Sequence, residues 1–135
     1  MTNPKYLLEV SGFLGIAVTM VIGYTLMLEL NPAGIVNTDV IGRLMYTNAH
    51  VHLGMWSLLV LFYSIFLDKA FTSRQLEFSI LAVIGQWAPP FNGFVLITLR
   101  ADTSTAIFQT VTTAFTVIVS FIFIIGLLRN WSADA

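Results

Sequence analysis

Apolar residues run in four long stretches separated by short polar breaks, extending over about residues 6–30, 41–67, 76–99 and 105–128. Each is long enough, as a helix rising 1.5 Å per residue, to cross a hydrocarbon layer of ~30 Å. Inside lipid no backbone N–H or C=O can be left open, so helix is the default conformation. The alternative, a β-barrel, needs shorter segments that alternate apolar and polar positions, and these runs do not alternate. The breaks carry helix-stop and turn chemistry: Asn31-Pro32-Ala33-Gly34, then Asp68-Lys69 through Ser73-Arg74, then Arg100 through Ser104. The pattern predicts an all-α integral membrane protein, a single domain over 1–135. Its four transmembrane helices form an up-down bundle without internal repeat or linker. The first run is longer than the 7–15 residues of a signal-peptide core and has no clear small-residue cleavage site, so it is read as a retained span.

Composition narrows the function classes. The chain is 57% apolar and 10% charged, against about 45–50% and about 25% for soluble domains. Six scattered basic residues cannot build a phosphate-neutralising patch, so no nucleic acid is expected as a partner. With no cysteine, disulfides, thiolate-bound zinc, iron–sulfur clusters and covalently attached c-type haem are all excluded.

Lysines and arginines set the expected orientation. Lys5, Lys69, Arg74 and Arg129 fall on one side of the four spans, and Arg43 and Arg100 on the other. The positive-inside rule places both termini in the cytoplasm. The expected location is the cytoplasmic membrane of a prokaryotic cell, and the second span then runs from outside to inside.

Both histidines lie in Tyr46-Thr47-Asn48-Ala49-His50-Val51-His52-Leu53-Gly54-Met55-Trp56. His50 falls about 13 Å along the second span, inside the apolar layer. Ionisable residues there are functional candidates. On a helix, residues i and i+2 are turned about 200° apart, so His50 and His52 address different neighbours and cannot chelate one ion together. Gly54, four residues after His50, leaves the surface beside that imidazole open to a flat macrocycle. Trp56 and Asn48 share the face of His52, and Asn48 is placed to set its tautomer. The competing use of a membrane histidine is a hydrogen bond between helices.

Gln86-Trp87-Ala88-Pro89-Pro90-Phe91-Asn92-Gly93 is expected to interrupt the third span. Each proline removes a donor and crowds the preceding turn, so the helix is expected to kink or unwind, leaving carbonyls near Gly85 and Gln86 without partners. Gln86 and Asn92 are candidates to meet them or to line a polar cavity. Thr110, Thr112, Thr113, Thr116 and Ser120 of the fourth span read as interhelical contacts. Met20, Met27, Met45 and Met55 are core filler or thioether ligands. Arg43 and Arg100, with Glu29 on the side nearest the histidines, are candidates to pair with carboxylates of a cofactor or with lipid phosphates.

The segment Tyr46 to Trp56 resembles the His-x-His helix in the catalytic subunit of haem–copper oxidases and nitric oxide reductases. The following segment, from Leu76-Glu77-Phe78 through Gly85, Phe91 and Gly93 to Arg100, is similar in layout to the next helix of that family. The last span, ending Phe121 to Gly126, looks like its terminal helix. The resemblance covers about residues 41–128 and rests on the His-x-His element. It implies that His50 binds an oxygen-reactive haem and His52 a low-spin haem, both toward the outer half of the membrane. The family's copper ligands and its histidine–tyrosine pair have no counterpart, because no further histidine exists. Oxidase chemistry by one chain is therefore not expected. The family's twelve helices stand in three arcs of four, which a homotrimer of this chain would rebuild with true symmetry.

The leading expectation is a small membrane protein holding haem b, with iron on His50 and His52, for electron transfer or gas-ligand binding. His50 of one protomer would meet His52 of the next across a shared macrocycle. The alternative is a cofactor-free accessory subunit of a larger respiratory or oxidising membrane complex. A transporter or channel built around Pro89-Pro90 ranks last, for want of paired acidic residues along an ion path.

Overall fold

The structure, a computed structural model, describes residues 3–30, 40–99 and 103–131, and within them excludes the side chains of 25–30, 40–46, 48, 93–99, 103–106, 108, 109 and 131. The described residues form four helices and no strand: α1 (Pro4–Leu30), α2 (Val40–Ala70), α3 (Gln75–Leu99) and α4 (Thr103–Trp131). Three of them, over Pro4–Tyr24, Ala49–Ala70 and Thr110–Asn130, are long and apolar enough to cross a membrane on their described residues. The break at residues 31–34 and the side chains of Met27, Glu29, Arg43 and Met45 lie outside the described residues, as does Arg100.

Local chemistry sets the helix ends. Asn3 caps α1, its Oδ1 accepting from the backbone N–H of Lys5 at 3.0 Å. Pro4 takes the first helical position, where its missing donor costs nothing. At the far end of α2, Asn130 Nδ2 of α4 donates to the carbonyls of Lys69 and Ala70, each at 3.1 Å. The turn 71–74 closes on Arg74, whose φ of 59° is in the left-handed region.

Successive helices pack side by side, α2 and α3 each touching all the others, while α1 and α4 do not touch among the described residues. The α1–α2 contact is made by small residues. Built-on side-chain carbons at Gly12, Gly15 and Gly23 of α1 would meet Leu61, Ser57 and His50 of α2, and one at Gly54 of α2 would meet Thr19 of α1. The partner numbers fall as the α1 numbers rise, so the two helices are antiparallel. Close approach through small residues is how helices associate where water supplies no hydrophobic drive.

The apolar core sits at the end of the bundle near the 71–74 turn. Tyr63 and Phe123 rings lie 4.4 Å apart, Phe71 and Phe78 4.6 Å, and Phe78 and Phe123 5.4 Å. The middle of the bundle is instead polar: Ser11, Ser57, Gln86 and Thr116 are buried, while Phe13, Met20, Leu58, Ile65, Phe121 and Ile125 are exposed. A polar interior under an apolar surface is the arrangement lipid favours.

One expectation is corrected. Of the kink or unwinding expected at 86–93, unwinding is not found: α3 is helical throughout, Pro89 and Pro90 included. The reason lies on α4: Thr116 Oγ1 donates to the carbonyl of Gly85 at 2.7 Å, meeting the acceptor that Pro89 leaves without a helical donor. Neighbouring Ser/Thr hydroxyls commonly preserve proline-containing spans in this way.

Candidate functional site

His50 and His52 stand on α2 one third of the way from its start, and the structure turns them to different sides as their spacing requires. His50 points to α1. Its Cε1 lies 2.7 Å from where a side-chain carbon on Gly23 would be, so the glycine makes the notch that receives the ring. Its Nδ1 is buried with no hydrogen-bond partner. His52 points to the other flank, where its ring stacks with Trp56 at a centroid distance of 6.4 Å and 29° between planes. The expected sharing of a face by His52 and Trp56 is therefore observed, while the Asn48 side chain lies outside the described residues.

The surface beside Gly54 is not open within the bundle. Thr19 of α1 occupies it, with Cγ2 3.1 Å from the position of an added side-chain carbon. Thr19 is held there by its own bond to the Gly15 carbonyl at 2.8 Å.

Between the two histidine flanks and one turn further in lies a polar knot. Gln86, fully buried, donates from Nε2 to the Ser11 carbonyl at 3.0 Å and to Ser57 Oγ at 2.9 Å. Its Oε1 accepts from Ser11 Oγ at 2.7 Å. Trp87 Nε1 donates to that same hydroxyl at 2.9 Å, and Ser57 Oγ donates to the Leu53 carbonyl at 2.6 Å. Three helices are thus tied by one amide with both its N–H donors and its oxygen engaged. The sequence marked Gln86 as a candidate cavity-lining residue. Ser11, Ser57 and Gly15 gave no such signal, because their roles depend on helices far away in the chain. Asn92 makes a separate link, Nδ2 to Thr112 Oγ1 at 3.2 Å.

Among the described residues no three of His, Cys, Asp or Glu converge, so iron would draw on the two imidazoles one at a time. Neutral imidazole is a suitable axial donor for haem iron. Among the described residues the interior beside the histidines is closed to a macrocycle, however: Gly23 and Thr19 close the side of α1, and the cavity beside Trp56 leaves only about 10 Å³ to the centre of a water molecule. The two imidazoles would meet a haem where α2 faces something outside its own bundle. The outward face of α2 is an apolar stripe of Val51, Met55, Leu58, Phe62 and Ile65, all exposed. At about 100° per residue, His50 borders that stripe on one side and His52 on the other.

No family model, no curated protein and no solved structure matches this chain.

Proposed function

We propose that the protein is a small b-type haem protein of a prokaryotic cytoplasmic membrane, spanning it four times with both termini inside. It is a homotrimer that holds haem between protomers. The observation that carries this reading is the placement of His50 and His52 on the two borders of the exposed α2 stripe. When three such stripes face a common axis, His52 of each protomer flanks one neighbour, and His50, on leaving the Gly23 notch, reaches the other. His50 and His52 would hold the haem, which would supply electron transfer or gas-ligand binding when bound. The chain's own part is to supply the imidazoles, to exclude water with its apolar surface and to hold the His52 ring against Trp56. Arg43 and Arg100, on the outer side, serve the carboxylates of the macrocycle or lipid phosphates.

The competing reading, a cofactor-free accessory subunit, is favoured by one feature: the His50 ring fills the Gly23 notch and so joins α1 to α2 without any cofactor. A pyridine haemochrome assay separates the two. The proposal expects one haem b per protomer in a trimeric particle. Purified protein without haem, or a monomer with full haem content, contradicts it.

A further inference from the structure

We propose that the His50 side chain has two positions and that Gly23 of α1 is the positioning residue that sets the balance between them. In the first the imidazole is seated on Gly23. In the second it has swung to the border of the α2 stripe, where it is offered to haem. The proposal rests on the haem reading for what the second position holds, and on the packing of α1 against α2 for the first. Contacts along that seam pair Gly12 with Leu61, Gly15 with Ser57, Thr19 with Gly54 and Gly23 with His50. The first three lie on or beside fixed hydrogen bonds: the knot of Ser11, Ser57 and Gln86, and the bond from Thr19 to the Gly15 carbonyl.

The fourth contact differs in two ways. No hydrogen bond holds the ring at Nδ1, which is one of two buried side-chain polar atoms without a partner among the described residues. A buried polar atom left unpaired disfavours the state that buries it, so the seat is a weak one. The part of the ring on the glycine is also its far edge. Cε1 and Nε2 lie 2.7 and 3.1 Å from where a side-chain carbon on Gly23 would stand, and Nδ1, next to the stem, lies at 3.7 Å. With that edge against α1, a macrocycle has no room on it. His50 is only partly buried, and rotation about its Cα–Cβ bond carries the ring from one staggered position to another while the three lower contacts stay in place. A methyl group at Gly23 would occupy the seat, and the atoms it meets are the tip of one side chain that nothing ties down. Gly23→Ala therefore shifts His50 to its second position and leaves the fold intact. A ligand that binds only that position has its apparent affinity scaled by the fraction present. The chemical reactivity of the imidazole scales with the same fraction, so one substitution raises both by one factor.

The test compares full-length wild-type and Gly23→Ala proteins, prepared without haem in detergent micelles. Each is treated with diethylpyrocarbonate, modification of His50 and of His52 is followed separately by mass spectrometry, and haemin is titrated into a second sample. In Gly23→Ala the rate at His50 is expected to rise about three- to tenfold, with the rate at His52 and the circular dichroism unchanged and haemin bound more tightly by the same factor. An unchanged rate at His50 overturns the proposal, and so does a variant that no longer folds, because the ring would then be unable to leave. Haemin affinity that does not follow the rate overturns it as well. A faster His50 in a protein that binds no haemin supports the two positions and overturns the haem reading. Independently of the variant, the haem-free wild type is expected to show an NOE between His50 Hε1 and Gly23 Hα, and its absence overturns the seat.

Discussion

Single side chains in the middle of the bundle hold more than their residue types suggest. Gly15 is the clearest case: a methyl group there would collide with Ser57 Oγ and Gln86 Nε2 together. Gly15→Ala is therefore expected to break the three-helix knot and destabilise the protein by about 1–3 kcal/mol. Gln86→Leu, which leaves the Ser11 hydroxyl without its acceptor and takes the Nε2 donor from Ser57, is expected to cost a similar amount. Thermal unfolding in detergent, followed by circular dichroism, checks both, and unchanged midpoints would show the knot to be incidental. At the histidines, His50→Ala and His52→Ala are each expected to remove all haem, because every protomer contact of the proposed trimer uses one of each. A variant that retains full haem in a pyridine haemochrome assay would refute the pairing. The opposed directions of His50 and His52 were legible in the sequence, since a spacing of two on a helix fixes them. The notch at Gly23 was not, because nothing local to either residue joins positions 23 and 50.

Helices here are longer than the apolar runs that announce them. The runs 76–99 and 105–128 become Gln75–Leu99 and Thr103–Trp131, and the second run of 41–67 extends to Ala70. Polar ends such as Asp68-Lys69 are still helical, because Asn130 and the 71–74 turn satisfy the last carbonyls of α2. Hydropathy locates the lipid-facing part of a helix and is blind to its capped ends. It also gives no view of what a neighbouring helix supplies, which is why Pro89-Pro90 reads as a break and folds as a continuous α3. Thr116→Val keeps the shape of the side chain and removes its donor to Gly85. It is expected to lower stability by about 0.5–2 kcal/mol, measured by denaturant unfolding in detergent. The opposite sign is expected at the turn: Arg74 holds a φ of 59° that glycine adopts freely, so Arg74→Gly is expected to stabilise by about 0.5–1 kcal/mol. A loss of stability there would mean that contacts of the Arg74 side chain outweigh its backbone strain.

The molecule as a whole is apolar on its surface and carries a polar layer at mid-bundle beside its aromatic core. Composition made the membrane legible, since six basic and seven acidic residues cannot clothe a bundle in water. Its polar interior follows from the same cause: serine, threonine and glutamine have no other place to find partners. What composition could not reveal is where the apolar surface meets lipid and where it meets another protomer. The α2 stripe of Val51, Met55, Leu58, Phe62 and Ile65 is the proposed axis, flanked by the two imidazoles that no single bundle can use for one macrocycle. The account therefore stands on haem content and assembly being linked. Native mass spectrometry of the detergent-purified protein measures both at once. The predicted result is a trimer of 15.0 kDa chains carrying three haems, which are lost together with the trimer's visible absorption in His50→Ala. A trimer with no haem, or haem carried by single chains, would contradict it.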